Sequence, residues 1–552
     1  MTTRRLNLDA LRRLTGTAPS GPLWNAAVDE FAVGAIRRRD LMRYAALLGL
    51  AGAGTGLLVP RAHAQEQAGK PGGTVRVGLL SPTGAIDPVT VADPPSIGLL
   101  TQVGEYLIVD DPDLTLRPGL AESWKGDATA KVWTVTIRQG VKFHDGRALS
   151  ARDVVATFQR LTDPANGSAA LSIFSGILSK AGVRQVDDNT VEFHLDAPNG
   201  NFPYLISSDT YNAIIVPADY AGDFEANFNG TGPFKLEQYT PKVGASFVRN
   251  PDYWGTKALP DRVEFTFFAD EPSQVLAIQA GQVDFITYSP QAALSVQNDP
   301  SYRLLSIGSS AHTQVHLRTD QGPFQDKRVR QALALSLNRD GLVKGLLQSH
   351  GVPGNDSPFS PLFPSTDTAV PQRKQDIAKA KELLAAAGVP NGFPVTLTTE
   401  KYQEIPDYAV LIQNAARQIG IAIDLKIEDQ GAYYGKATFG QSDWLDSVLG
   451  ITDYGHRGTP NAVLNASFRS TGAWNSAHFK NPDYDKLLAD YSSAIDLPAQ
   501  RAAAGKLQAF LLEETPIIIS YFSDSQKITT ASLNGARYTA ISQLYFDQAS
   551  FT

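Results

Sequence analysis

Two histidine placements have residue types and spacing that suit chemistry. His312 and His316 stand four apart, the separation that puts two imidazoles on one helical face for a metal ion. The residues between them, Thr313-Gln314-Val315, read as strand, and no third ligand stands nearby. Two polar side chains on one strand face are therefore expected, with no metal. His144-Asp145 has the composition of an acid–base pair. Val141-Lys142-Phe143 leads into it as a strand that ends in the Asp145-Gly146 turn, and neighbours along a strand point to opposite faces, so a structural turn is expected there. The chain has no G-x-S-x-G elbow, no H-E-x-x-H helix and no G-x-x-x-x-G-K-[ST] loop, which removes the commonest hydrolase and NTPase signatures. It has no cysteine, which excludes disulfides, thiolate metal sites, a thiol nucleophile and a lipid-acceptor cysteine. No catalytic residue and no cofactor is expected.

The elements that must position any site alternate as in an α/β protein. At 552 residues the chain corresponds to roughly three to four domain-sized units, and 43% hydrophobic with 19% charged residues fits a loop-rich globular protein. Apolar residues alternate at Trp133, Val135 and Ile137, at Val191, Phe193 and Leu195, and at Val263, Phe265 and Phe267, which predicts half-buried strands. The pattern from Asp376 to Ala387 predicts a helix capped by Asp376 and stopped by Gly388. Val395 to Leu397 reads as a strand, Asp407 to Ile419 as a helix and Ile421 to Ile427 as a strand, a succession that requires a right-handed crossover between parallel strands. Helices are also expected from Asp326 to about Leu337 and from Ala499 to about Leu512, before an apolar strand at Ile517-Ile518-Ile519.

The first 64 residues read as an address. Arg37-Arg38-Arg39-Asp40-Leu41-Met42-Arg43 precedes an uncharged stretch from Tyr44 to Val59, and Ala62-His63-Ala64 follows it. A basic region, a short apolar stretch and a small-residue site are the parts of a secretory signal, with cleavage expected after Ala64 and a retained anchor as the alternative. The paired arginines resemble a twin-arginine export signal, which implies the twin-arginine translocase as a partner during export. Gly52-Ala53-Gly54-Thr55-Gly56 has some of the glycine spacing of a dinucleotide loop but lies inside this signal and carries no nucleotide role. The whole chain has a net charge of −7; residues 1–64 hold nine arginines, no lysine and four acids, so the remainder carries −12. Such acidity argues against nucleic acid as a partner.

The block from Trp133 to Val154, with His144-Asp145-Gly146 at its centre, closely resembles the signature of family 5 extracellular solute-binding proteins, the dipeptide, oligopeptide and nickel binders of ABC importers. Further blocks resemble the family in its order: Ile86-Asp87-Pro88, Leu116 to Trp124, Gly230 to Phe234, Asn250 to Gly255, Asp326 to Leu333 and Ala378 to Gly388. The resemblance implies an α/β, two-lobed clamshell of the type II periplasmic binding protein kind with an additional inserted subdomain. Lobe one would combine 70–100, 230–310 and 515–552, the inserted subdomain 101–229, and lobe two 311–514. It also implies a soluble periplasmic receptor that captures a short peptide or other small polar solute between the lobes and delivers it to an inner-membrane ABC permease. A periplasmic polypeptide-binding chaperone is the alternative, followed by an exported hydrolase.

Peptide-binding members of the family resemble one another after the Ile421–Ile427 strand, where an aspartate receives the peptide's amino group. The matching stretch here runs from Gly450 to Asn461, and Asp453 best fits that aspartate, with an ordinary turn aspartate as the alternative. It departs from the family where Ile451 replaces a tryptophan, Thr459-Pro460 replaces Asp-Pro, and His456-Arg457 brings positive charge. Arg457 is expected either to pair with Asp453 or to fork onto a ligand carboxylate. His456 would add pH sensitivity unless it is a solvated loop residue. Trp474-Asn475 resembles a block whose asparagine orients amides. Tyr433, Tyr434, Trp444 and Tyr454 supply rings for either a cleft wall or a core, and Arg373 is a further candidate for a ligand carboxylate.

Overall fold

The structure, a computed structural model, describes residues 69–84, 86–222, 229–287, 296 and 298–552; the expected export signal and its glycine run lie outside them. The element that starts the described chain is the strand Thr74–Leu80, whose Val75, Val77 and Leu79 are buried. It lies inside a seven-stranded sheet ordered Tyr302–Ile307, Ser525–Thr530, Phe285–Thr287, Thr74–Leu80, Arg262–Phe268, Gly244–Arg249 and Phe234–Thr240. Thr74–Leu80 runs parallel to both of its neighbours. The helix Pro94–Val103 follows, its start fixed by Asp93, which accepts from the Ser96 N–H at 3.1 Å.

A second sheet has six strands, ordered Gly351–Pro353, Ile517–Ser523, His312–Leu317, Leu449–Tyr454, Pro394–Glu400 and Ala422–Glu428. The predicted strand, helix and strand are present as Pro394–Glu400, Ile405–Arg417 and Ala422–Glu428, and the two strands pair in parallel with Leu397 opposite Leu425. Pro406 sits in the first turn of the helix, which is why it begins ahead of Asp407. Ile377–Ala386 is helical and Asp376 caps it by accepting from the Lys379 N–H at 2.8 Å. Tyr408, Ile412, Leu333 and Leu397 form one apolar core beneath this sheet, and each fully buried side chain of this size contributes roughly 1.5–3 kcal/mol.

A four-stranded antiparallel sheet, ordered Ala121–Gly126, Val132–Ile137, Thr190–His194 and Val183–Asp187, forms the inserted part with the helix Ala151–Leu161. Phe158 and Phe193 of this part belong to the same hydrophobic cluster as Val75, Val77 and Phe265 of the first sheet, so the two share one core. The blocks that carried the family resemblance meet at this junction. Glu105 accepts from Tyr253 Oη at 2.6 Å, Trp254 Nε1 at 2.7 Å and Thr231 Oγ1 at 2.7 Å. Gly230 is required by the close approach of backbones, since a Cβ there would lie 2.0 Å from the Val103 carbonyl oxygen. The His144 N–H donates to Gly230 O at 2.8 Å, and Asp145 accepts from Arg147 Nε at 2.7 Å and Asn229 Nδ2 at 2.8 Å, which makes this pair a structural turn.

One expected boundary needs correction. Residues 515–552 were assigned to lobe one, but Ile517–Ser523 pairs with His312–Leu317 inside the six-stranded sheet, and the chain returns to the seven-stranded sheet only at Ser525. Its apolar run, Ile517-Ile518-Ile519, is buried on both faces and needs a central position. The chain thus passes between the two large sheets at 308–311 and again at Asp524. These passages lie side by side: the Ser523 N–H donates to Ala311 O at 2.9 Å, and Ser306 Oγ donates to Asp524 Oδ2 at 2.9 Å.

Candidate ligand-binding site

Strands Pro394–Glu400 and Leu449–Tyr454 run parallel with Thr399 opposite Ile451, so their carboxyl ends finish together and bring Glu400 beside Asp453. The crevice at the carboxyl ends of parallel strands is where open α/β sheets place ligands. Tyr434 Oη lies between the two acids, donating to Glu400 Oε1 at 2.7 Å and reaching Asp453 Oδ1 at 3.3 Å. Gln430 Nε2 donates to Glu400 Oε2 at 2.7 Å. Burial, followed by the Glu400 charge, pushes the Asp453 carboxyl up to about 6. Among the described residues no lysine, arginine or histidine lies within ion-pair distance of either acid. A cation brought to this pair would meet charge-assisted hydrogen bonds in a water-poor setting.

The negative field extends beyond the pair. Tyr402, in the loop after Glu400, has its phenol raised by burial and then by Asp453, Glu400, Glu404 and Glu271. Glu271 opens the helix Glu271–Gln279 on the first sheet, so acidic groups of both large sheets act on this region.

The aromatic candidates divide by role. Tyr433 is fully buried, its hydroxyl donating to Ile451 O at 2.8 Å. Tyr434 packs edge-on against Tyr433 and against Trp444, both at 5.4 Å between centroids, so Tyr433 and Trp444 support the ring that carries the bridging hydroxyl. Tyr454 is buried, stacks on His312 at 5.5 Å and meets the half-buried Trp474 at 6.0 Å.

Other candidates are engaged elsewhere. Arg457 does not pair with Asp453; its Nη1 donates to His456 O at 2.8 Å, and the carboxylate that responds to its charge is Asp209 of the insertion. His456 is buried, not solvated. Its Nδ1 accepts from the Ser310 N–H at 3.0 Å, and burial with the neighbouring Arg457 charge pushes it down to about 3. Asn475 has its amide fully used, donating to Phe479 O at 2.7 Å and Arg469 O at 3.2 Å while accepting from the Phe479 N–H at 2.9 Å. Arg373 joins Arg339 on the buried Asp356, at 2.6 Å and 2.7 Å, and so has a structural carboxylate as its partner. His312 and His316 are on the expected strand, each held near 4 by burial, with ring nitrogens on Ser310 O and Ser447 O. Glu400 was missed because the strand reading stopped at Leu397; extending the alternation three residues and aligning it with Leu449–Tyr454 would have found it.

A two-sheet clamshell with an inserted sheet and an acidic site at strand ends defines a solute-binding class, and the comparisons agree. Residues 115–472 match the model of bacterial extracellular solute-binding proteins, family 5 (Middle), and the chain belongs to this family. It is 27% identical over 545 residues to the oligopeptide-binding protein AppA of Bacillus subtilis, covering 92% of this chain and 98% of AppA. It is 28% identical over 495 residues to a dipeptide-binding protein of Escherichia coli, covering 84% of this chain and 90% of that protein. The structure of HbpA2 from Haemophilus parasuis superimposes with a TM-score of 0.77 at 23% identity, covering 87% of this chain and all of that one. No helix among the described residues is long and apolar enough to cross a membrane.

Proposed function

We propose that this chain is a periplasmic receptor that captures a short peptide, or a related solute bearing a protonated amine, and delivers it to an ABC permease in the inner membrane. The observation that carries the reading is the Asp453–Glu400 pair, two neighbouring carboxylates bridged by Tyr434 without a protein cation. Asp453 acts as the amine acceptor, Glu400 adds charge, and Tyr434, supported by Tyr433 and Trp444, positions both. Trp474 and Tyr454 supply apolar surface beside them. The protein performs no chemical step; binding and lobe closure are the whole mechanism. Residues 1–64 act as a twin-arginine export signal removed after Ala64, and the mature protein remains unanchored.

Native mass spectrometry before and after denaturation identifies any solute carried through purification. Titration calorimetry then compares free-amine di- and tripeptides with their N-acetylated forms. Acetylation, which removes the charge, is expected to weaken binding at least a hundredfold. Equal affinity for the two forms would end the amine assignment.

A further inference from the structure

We infer that the molecule holds a second acidic subsite, which takes a cationic side group of the ligand, in the recess where Asp110 and Asp209 of the inserted region face His456. This inference deepens the receptor reading above and rests on it. The recess is narrow, with about 20 Å³ open to a water-sized group, room for one ammonium, and Ser208, Ile307 and Gln543 complete the walls that the argument uses. Its elements come from three places: the short strand Ile108–Asp110 with the loop at Ser208-Asp209, the end of Tyr302–Ile307 with the C-terminal turn at Gln543, and the loop after Leu449–Tyr454.

Two observations separate this recess from an ordinary acidic surface. Asp110 is only 8% exposed, and its Oδ1 is buried with no hydrogen-bond partner. Asp209 Oδ1 is likewise buried and unpartnered. Burial raises both carboxyls above the ordinary range, and the nearness of Asp209 raises Asp110 further. Two such groups are tolerated when they are protonated, share a proton or receive a cation.

The surroundings do not provide that cation. His456 is held neutral, its Nδ1 accepting from the Ser310 N–H. Arg117 is committed to Asp111 at 2.7 Å. Arg457 influences Asp209 from beyond ion-pair distance, while the Gly458 N–H gives Asp209 one backbone hydrogen bond. Among the described residues no set of three acidic or imidazole donors could hold a metal ion, and two carboxylates in so small a recess suit an ammonium group.

The position supplies the connection to ligand. His456 follows Asp453 by three residues, at most about 10 Å of extended chain. The ligand's second cationic group, a lysine-like side chain or a second amine, is therefore assigned to this recess.

The test is calorimetry on the full chain at pH 7.5 with Ala-Lys-Ala and its norleucine analogue, using wild type, Asp209→Asn, Asp110→Asn and Asp453→Asn. The lysine peptide is expected to bind at least tenfold tighter than the norleucine peptide, and to release up to one proton when heats are compared in two buffers. The preference is expected to fall to near unity in Asp209→Asn and Asp110→Asn, whereas Asp453→Asn weakens both peptides alike. Equal binding of the two peptides by wild type, or a preference that survives Asp209→Asn, overturns the inference and leaves a proton-sharing pair. If neither peptide binds, the peptide-receptor reading fails, and agmatine decides the recess by itself: binding abolished by Asp209→Asn supports the subsite, and no binding overturns it. Thermal unfolding of each variant verifies that the fold is kept.

Discussion

Asn201 of the inserted region donates from Nδ2 to Asn461 Oδ1 at 3.0 Å, and both side chains are buried. Asn201 Oδ1 in turn accepts from Gln500 Nε2 at 3.1 Å, and the neighbouring Gly200 N–H donates to Ser492 O at 2.8 Å. Asn461 ends the same segment that carries Asp453, so a chain of amides ties the insertion to the lobe that holds the candidate site.

Removing the centre of that chain should loosen the lobes. Asn201→Ala leaves Asn461 Oδ1 without its donor and Gln500 Nε2 with Ala494 O alone, at a cost of about 1–3 kcal/mol in the state where the lobes meet. Stopped-flow release of bound peptide is expected to accelerate roughly tenfold, with little change in the urea midpoint. An unchanged release rate would show that this contact does not hold the lobes together.

Neutral isosteres separate the two acids of the candidate site. Asp453→Asn is expected to lower affinity for free-amine peptides about 10- to 100-fold, with a smaller loss for Glu400→Gln, and neither should affect acetylated peptides. Affinity should also fall in wild type as pH drops below about 6, where Asp453 takes up its proton. The same calorimetric titration at pH 7.5 and 5 measures this slope, and a flat profile would remove Asp453 from the ligand contact.

Stability should decline in acid for an identifiable reason. His312, His316 and His456 are pushed down to about 4, 4 and 3 in the folded chain, below the value near 6.5 of an exposed histidine. The unfolded chain then binds more protons than the native one, so this contribution is complete above pH 6.5 and is lost as pH falls through 6.5 toward 4. Glu105, raised to about 7 by burial, acts in the opposite sense: its contribution is present in acid and is lost as pH rises through 7. His456→Asn keeps an acceptor for the Ser310 N–H and is expected to reduce the stability difference between pH 7.5 and 5 by about 2 kcal/mol, measured by urea unfolding.

The buried triad predicts a stability effect without a ligand effect. Asp356 is fully buried between Arg339 and Arg373 and has a φ of 51°, a left-handed conformation that asparagine also adopts readily. Asp356→Asn leaves two guanidinium groups without their carboxylate and should cost about 3–5 kcal/mol in urea unfolding. Peptide affinity of the folded fraction should be unchanged, and a large affinity loss would restore Arg373 as a ligand contact.

Features set by local sequence were legible before the structure. Asp376 before an apolar periodicity announced its helix, and the alternations flanking Ile405–Arg417 announced a parallel pair, because caps and periods depend on residues a few positions apart. The candidate site was only half legible. Asp453 is singled out by resemblance, but Glu400 joins it by strand adjacency across some fifty residues, which no local pattern encodes. The expectation of a solvated His456 fails because its partner, Ser310, lies 146 residues away. Asn475 was misread for the opposite reason: it bonds within a turn of its own making, to Phe479, and a polar residue in a loop looks the same whether its amide is free or used. Arg457 stood near Asp453 in sequence, yet past the strand end the chain turns toward the insertion and Asp209.

The two passages between the large sheets, four residues at 308–311 and the single residue Asp524, lie side by side, held by the bonds of Ser523 to Ala311 and of Ser306 to Asp524 at their flanks. Adjacent tethers leave the lobes one soft rotational degree of freedom, about the line through both, and oppose twisting or sliding. Whatever occupies the crevice, its arrival is therefore converted into one variable, an angle. A membrane partner that senses that angle can accept chemically different cargoes without inspecting any of them.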